Sequence, residues 1–158
     1  MLRRVKQGRV GKAGGNFAIV ASEYNARFVN AMLLSAQAEL KRAGAKEIKV
    51  VRVPGAYEIP VVAARLTGSR KFSAVICLGV ILRGETTHAA HIGEAVSQAL
   101  MEIQLATGVP VIHEVLLLEN EQQARARCLD PKHNRGREAA QTALAMAQVM
   151  TGLERQGL

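Results

Sequence analysis

The stretch from Ala74 to Ile103 constrains the fold of this chain most. An apolar run from Ala74 to Leu82 stops at Arg83-Gly84, and the next apolar positions, Ile92, Val96, Ala99 and Ile103, recur at helical spacing. A buried strand therefore feeds a helix that runs to Thr107 and ends at Gly108. The same order recurs along the chain. Phe17 to Ser22 is a compact apolar strand, followed by Val29, Leu33, Ala36 and Leu40 on one helical stripe that stops at Gly44. Glu47 to Val53 is a second strand closed by Pro54-Gly55, and Ala56-Tyr57-Glu58 opens a helix carrying Ile59, Val62, Ala63 and Leu66. Pro60 is tolerated there because first-turn amides have no intrahelical acceptor. Val109 to Leu118 makes a fourth strand. Glu119 to Cys128 reads as helical, Leu129-Asp130-Pro131 breaks it, and a last helix begins near Asn134 with Ala140, Ala143, Ala147 and Met150 as its apolar stripe. The remaining tail, Gly152 to Leu158, carries no signal.

Four strands alternating with helices, with no linker, repeat or composition shift, imply a parallel sheet covered on both faces. The expected architecture is a three-layer α/β/α sandwich on a four-stranded, flavodoxin-like sheet, one domain over 16–158. Residues 1–15 hold Arg3, Arg4, Lys6, Arg9 and Lys12 and end in Gly14-Gly15. They read as a basic arm, either frayed or adding an edge strand to a neighbouring copy.

Composition narrows the function class. No apolar window is long enough to span a bilayer and no secretory signal core follows the basic N-terminus, so a soluble cytoplasmic protein is expected. Cys77 and Cys128 form neither a CxxC nor a zinc pattern and read as reduced thiols. The net charge of +8 suits anionic metabolites, an acidic surface or weak nonspecific attraction to nucleic acid. With no Trp, three Phe and two Tyr, and no nucleic-acid-binding signature, designed nucleic-acid recognition is not indicated.

The chemistry concentrates after the third strand. Gly84 allows a sharp turn, and Glu85, Thr86 and Thr87 fall at a helix start whose unpaired amides and positive dipole end can seat an anion. His88 follows one residue further in, an imidazole that can carry protons near neutrality. The plainer reading is a capped helix with a solvent-facing His. Tyr24 and Asn25 leave the first strand at its carboxyl end, where open parallel sheets bind ligands. Glu58 in a first turn has an ordinary explanation in the helix dipole. His113 and Glu114 interrupt the fourth strand and face opposite ways, so they cannot share a pocket without a bulge. Arg127, Lys132, Arg135 and Arg137 cluster before the last helix, either as a solvated basic loop or as cations completing a phosphate cage. His88 and His91 lack a third ligand at a recognised spacing, so no metal is expected. Gly-x-Gly-x-x-Gly, Walker and Gly-x-Ser-x-Gly motifs are absent, which disfavours dinucleotide, nucleoside triphosphate and elbow-serine chemistry.

Three segments together resemble one family. Val53-Pro54-Gly55-Ala56-Tyr57-Glu58-Ile59-Pro60, Gly79 to His88, and Asn134-Arg135-Gly136-Arg137-Glu138-Ala139-Ala140 are similar, in order and spacing, to the 6,7-dimethyl-8-ribityllumazine synthases. The resemblance runs from about Phe17 to Met150. It implies condensation of 5-amino-6-(D-ribitylamino)uracil with 3,4-dihydroxy-2-butanone 4-phosphate, with no metal or organic cofactor. By the same resemblance, Tyr24 stacks on the pyrimidine with Asn25 beside it, and Ala56, Tyr57 and Glu58 hold the ribityl chain. Val80, Ile81 and Leu82 border the ring, Glu85, Thr86, Thr87 and Arg127 bind the phosphate, and His88 transfers protons.

The chain also departs from the family pattern. His113 stands where an aromatic, usually Phe, comes from the next subunit, and it is expected to keep the stacking role with an added pH-sensitive contact. Glu114 replaces a small residue, Arg135 a common Lys, and Ala90 an acidic residue. The family assembles as pentamers, some of which pair or build sixty-subunit shells. The length of the 127–134 segment leans towards a shell, although Leu129-Asp130-Pro131 is not the usual wording. Two alternatives stand beside this reading. One is another phospho-sugar enzyme using His88 and the anion turn; the other is a non-catalytic shell or nucleic-acid-associating relative.

Overall fold

The structure is a computed structural model that describes residues 14–158. The basic arm expected over 1–15 therefore lies, up to residue 13, outside the described residues. Among the described residues four strands form one sheet: β1 (Asn16–Ser22), β2 (Glu47–Val53), β3 (Ala74–Leu82) and β4 (Val111–Leu118). The sheet order is β2-β1-β3-β4, and every neighbouring pair is parallel. The helices are α1 (Ala26–Arg42), α2 (Ile59–Gly68), α3 (His88–Thr107), the short α4 (Glu121–Ala124) and α5 (Arg135–Arg155). A 3-10 turn, Ala56–Glu58, precedes α2, and a π-turn, Arg125–Leu129, follows α4.

The central strands β1 and β3 are apolar on both faces because both faces are covered. On one face Phe17, Ile19, Ile76 and Leu78 pack against α1, α5 and the π-turn through Met32, Leu40, Cys128, Ala140 and Leu144. On the other, Ala18, Val20, Val75 and Cys77 pack against α2 and α3 through Ile59, Ala63, Val96 and Leu100. Each large apolar side chain removed from water in these layers contributes roughly 1.5–3 kcal/mol. β2 and β4 are the edges, and β2 is exposed at Glu47 and Lys49.

The sequence pattern places the elements well and misses some ends. β4 starts at Val111 because Pro110 has no amide to donate, although its carbonyl still accepts from Val75 N at 2.9 Å. The helix expected over Glu119–Cys128 is four residues of α-helix followed by the π-turn. The tail expected to be featureless continues α5 to Arg155. Asn134 does begin α5: its Oδ1 accepts from Gly136 N at 2.8 Å and Arg137 N at 3.4 Å. Among the described residues no helix is long and apolar enough to cross a membrane.

Candidate active site

The chain leaves β1, moves to β2 on one side, and returns across β1 to β3 on the other, so the strand order reverses between β1 and β3. Ligands of such sheets bind outside the carboxyl ends of the strands at that reversal. Three loops meet there. Beyond β1, Glu23 N donates to Val53 O at 2.8 Å and Tyr24 N to Pro54 O at 3.1 Å, continuing the ladder onto the β2 loop. Asn25 then takes a left-handed conformation, φ 56° and ψ 41°, which Asn tolerates better than most residues. Its amide Nδ2 donates to Val80 O at 2.7 Å, clamping the β1 loop to β3 across the reversal. Tyr24 beside it is three-quarters exposed, at 75%. A large aromatic held in water at a strand end is a ready stacking surface.

After β2, Ala56 is buried while Tyr57 and Glu58 face solvent. A Cβ on Gly55 would lie 2.9 Å from Glu58 Oε2, so the carboxylate folds back over the turn. At the end of β3, Val80 and Ile81 are buried and Leu82 is half-buried. Arg83 N donates to Leu118 O at 2.8 Å, and the Arg83 guanidinium pairs with Glu119 at 3.0 Å. Glu85, Thr86 and Thr87 form an exposed turn, and α3 begins at His88 itself rather than one residue earlier. Thr86 Oγ1 accepts a long bond from His88 N, 3.4 Å, which ties the turn to the helix start. Tyr24, Asn25, Ala56, Tyr57, Glu58, Val80, Ile81, Leu82, Glu85, Thr86, Thr87 and His88 thus lie at the carboxyl end of the sheet, in the last positions of β3 and the segments that follow β1, β2 and β3.

His113 and Arg127 do not join them within the chain. His113 pairs in register with Cys77, midway along the sheet, and points towards α3. Its Nδ1 accepts from Val115 N at 3.2 Å, which assigns the proton to Nε2; that nitrogen lies 2.7 Å from Ser97 Oγ, and Ser97 in turn donates to Gly93 O at 2.8 Å. His113 is exposed overall, yet desolvation of its ring pushes the imidazole below its ordinary value, and a hydrogen bond with its own backbone opposes the shift. Arg127 is exposed on the π-turn, which packs on α1 at the opposite face of the sheet from α3.

The expected opposition of His113 and Glu114 is present, and Glu114 has a consequence that sequence reasoning did not foresee. Glu114 is 4% exposed and faces α5, where Arg135 Nε and Nη2 both donate to its Oε1, at 3.0 and 2.6 Å. Arg135 Nη1 donates to Glu138 Oε2 at 2.8 Å. Part of the basic cluster is therefore internally neutralised. An acid within an apolar strand was the available signal, since a buried carboxylate requires a donor. Burial raises the Glu114 carboxyl, and Arg135 opposes that shift. Burial also works against the Arg135 charge, but the carboxylates of Glu114 and Glu138 outweigh it and hold the guanidinium more firmly protonated. Arg137 donates to Pro131 O at 2.7 Å, and Asp130 Oδ1 accepts from Lys132 N and His133 N, so the loop before α5 is pinned. Among the described residues no three His, Cys, Asp or Glu side chains gather closely enough to hold a metal ion.

The sequence profile of the family described as 6,7-dimethyl-8-ribityllumazine synthase matches residues 14–151. The protein of that name from Xanthomonas oryzae pv. oryzae (strain PXO99A) is 42% identical over 136 residues, covering 85% of this chain and 88% of the relative. The one from Stenotrophomonas maltophilia (strain R551-3) is 40% identical over 139 residues, covering 87% and 90%. With three strand ends converging at the sheet reversal and a match across most of its length, the chain belongs to the 6,7-dimethyl-8-ribityllumazine synthase family.

Proposed function

We propose that this protein condenses 5-amino-6-(D-ribitylamino)uracil with 3,4-dihydroxy-2-butanone 4-phosphate to give 6,7-dimethyl-8-ribityllumazine, phosphate and water, in riboflavin biosynthesis. The observation that carries the reading is the meeting of three loops at the carboxyl end of the sheet, where Asn25 Nδ2 donates to Val80 O and Tyr24 N to Pro54 O, with an exposed tyrosine, a carboxylate turn and a His-bearing helix start following strands β1, β2 and β3. Tyr24 stacks on the pyrimidine, with Val80, Ile81 and Leu82 along the ring. Glu58, with Ala56 and Tyr57, accepts from ribityl hydroxyls. The turn of Glu85, Thr86 and Thr87 offers N–H and hydroxyl donors to the phosphate.

The substrate's 5-amino group attacks the ketone and loses one water to a Schiff base. Removal of a C–H proton expels phosphate, tautomerisation of the resulting enol gives a new ketone, and the ribitylamino nitrogen attacks it and loses a second water as the ring closes. Each step moves protons, and none needs a protein nucleophile. His88 carries the protons, a contribution of about 10²–10⁴-fold, while holding two substrates together supplies much of the remainder as effective concentration. Arg127 neutralises the leaving phosphate. Because His88 and Arg127 lie on opposite layers of one chain, the reading places them together only between copies; that His113 also comes from a neighbouring copy rests on the family resemblance alone. The proposed assembly is accordingly a homo-oligomer built on pentamers. Both cysteines are free thiols, in keeping with a reducing, cytoplasmic setting.

The test mixes purified protein with the two substrates and follows lumazine fluorescence and inorganic phosphate. Stoichiometric appearance of both is expected, with His88→Ala slowed at least tenfold. Absence of product from assembled protein overturns the reading in favour of another phospho-sugar reaction or a non-catalytic shell.

A further inference from the structure

Glu114, Arg135 and Arg127 form a charged cluster on the α5 face of the sheet. Glu114 is buried, and two guanidinium nitrogens of Arg135 converge on one of its oxygens while the third reaches Glu138. All three nitrogens of the Arg135 fork are thus directed at carboxylates of its own chain. Arg127 is different. It is exposed on the π-turn, and among the described residues it makes no ion pair or side-chain hydrogen bond. The two arginines are nonetheless neighbours: Asn134 Nδ2 donates to Cys128 O at 2.6 Å, which joins the π-turn carrying Arg127 to the start of α5, where Arg135 follows Asn134.

We infer that Glu114 sets the anion affinity of the Arg127 site by holding Arg135 in an internal ion pair, so that Arg127 meets a phosphate without help from its neighbour. This rests on the reading of Arg127 as a phosphate-binding residue. A carboxylate in a poorly solvated position cancels one positive charge beside Arg127 and lowers the local potential felt by an approaching anion. Two chemically separate departures from the family pattern, an acid at 114 and an arginine at 135, are thereby one feature: the acid needs the cation to be buried, and the cation is occupied by the acid. Glu114 is a positioning and tuning residue. It touches no substrate.

Inorganic phosphate is the probe, titrated calorimetrically into the assembled wild type and three variants, with sedimentation and thermal unfolding run on each. Glu114→Gln keeps an acceptor for Arg135 but removes the charge, and phosphate is expected to bind about threefold more tightly or better. The paired change Glu114→Met with Arg135→Met removes both charges without leaving either buried alone, and wild-type phosphate affinity is expected. Equal or weaker binding by an assembled Glu114→Gln protein overturns the inference. Where that single variant fails to assemble, the double variant decides, and a loss of phosphate affinity there overturns it. Arg127→Met separates the two levels: unchanged phosphate binding in that variant overturns the site reading itself, whichever way the Glu114 variants behave.

Discussion

At the scale of single residues, burial and partners decide what each group can do. His113 accepts a backbone amide on Nδ1, a bond that protonation of that nitrogen abolishes, and desolvation of its ring lowers its affinity for the proton. The unfolded chain then binds protons more readily than the folded one as pH falls. Stability linked to His113 is therefore full above the ordinary histidine value and is lost as pH falls through the lowered one. An NMR titration should find His113 below the ordinary histidine value, and His113→Phe should flatten the acid limb of a plot of thermal midpoint against pH. An unchanged limb would remove the pH-sensitive role. The cysteines make an equally direct prediction. Burial pushes Cys77 up to about 12 and Cys128 up to about 11, the latter reinforced by Glu114. At pH 8 neither is a thiolate, so a disulfide-exchange reagent should label no thiol in the native protein and two per chain after denaturation. The buried reading of Cys77 was legible from its place in an apolar run. The partner of Glu114 was not, because the ion pair joins residues 21 apart in sequence.

At the scale of elements, the crossing of α1 and α5 is the tightest contact. A Cβ on Gly136 would sit 2.0 Å from Met32 O, inside the α1 backbone. No side-chain rotation relieves a clash between two backbones, so Gly136→Ala is expected to cost several kcal/mol, roughly 3–5, or to prevent folding. A fall in thermal midpoint of less than a few degrees would show that α5 can shift aside. Asn134 works one residue pair earlier. Its Oδ1 caps α5 while its Nδ2 donates to Cys128 O at 2.6 Å, joining the π-turn to the helix. Asn134→Ala should destabilise by about 1–3 kcal/mol in denaturant unfolding, whereas Asn134→Asp, which keeps the cap, should lose less. The helices and strands themselves were readable from periodicity. The π-turn was not: Arg125 to Cys128 continues a helical pattern in sequence, and only its packing against α1 shows that the turn is widened there.

At the scale of the whole molecule, the three-layer plan places chemistry on both faces. His88 opens α3 on one side and Arg127 stands on the other, so a site using both needs two copies. Mixed assemblies of His88→Ala and Arg127→Ala chains should then regain activity, to about one quarter of the wild-type value for random mixing in a closed ring. Mixtures no more active than the separate variants would argue that each site is built from one chain. The sequence by itself determined the alternation of strands and helices, the parallel sheet and the three loops that bear the chemistry. Each of those depends on local periodicity and on turn residues a few positions apart. Tertiary structure alone decided that Asn25 reaches Val80, that Glu114 is silenced by Arg135, and that His88 and Arg127 part company across the sheet. Those outcomes follow from which strands become neighbours and which face each helix covers, a geometry set by packing the whole apolar core and invisible to any short window of residues.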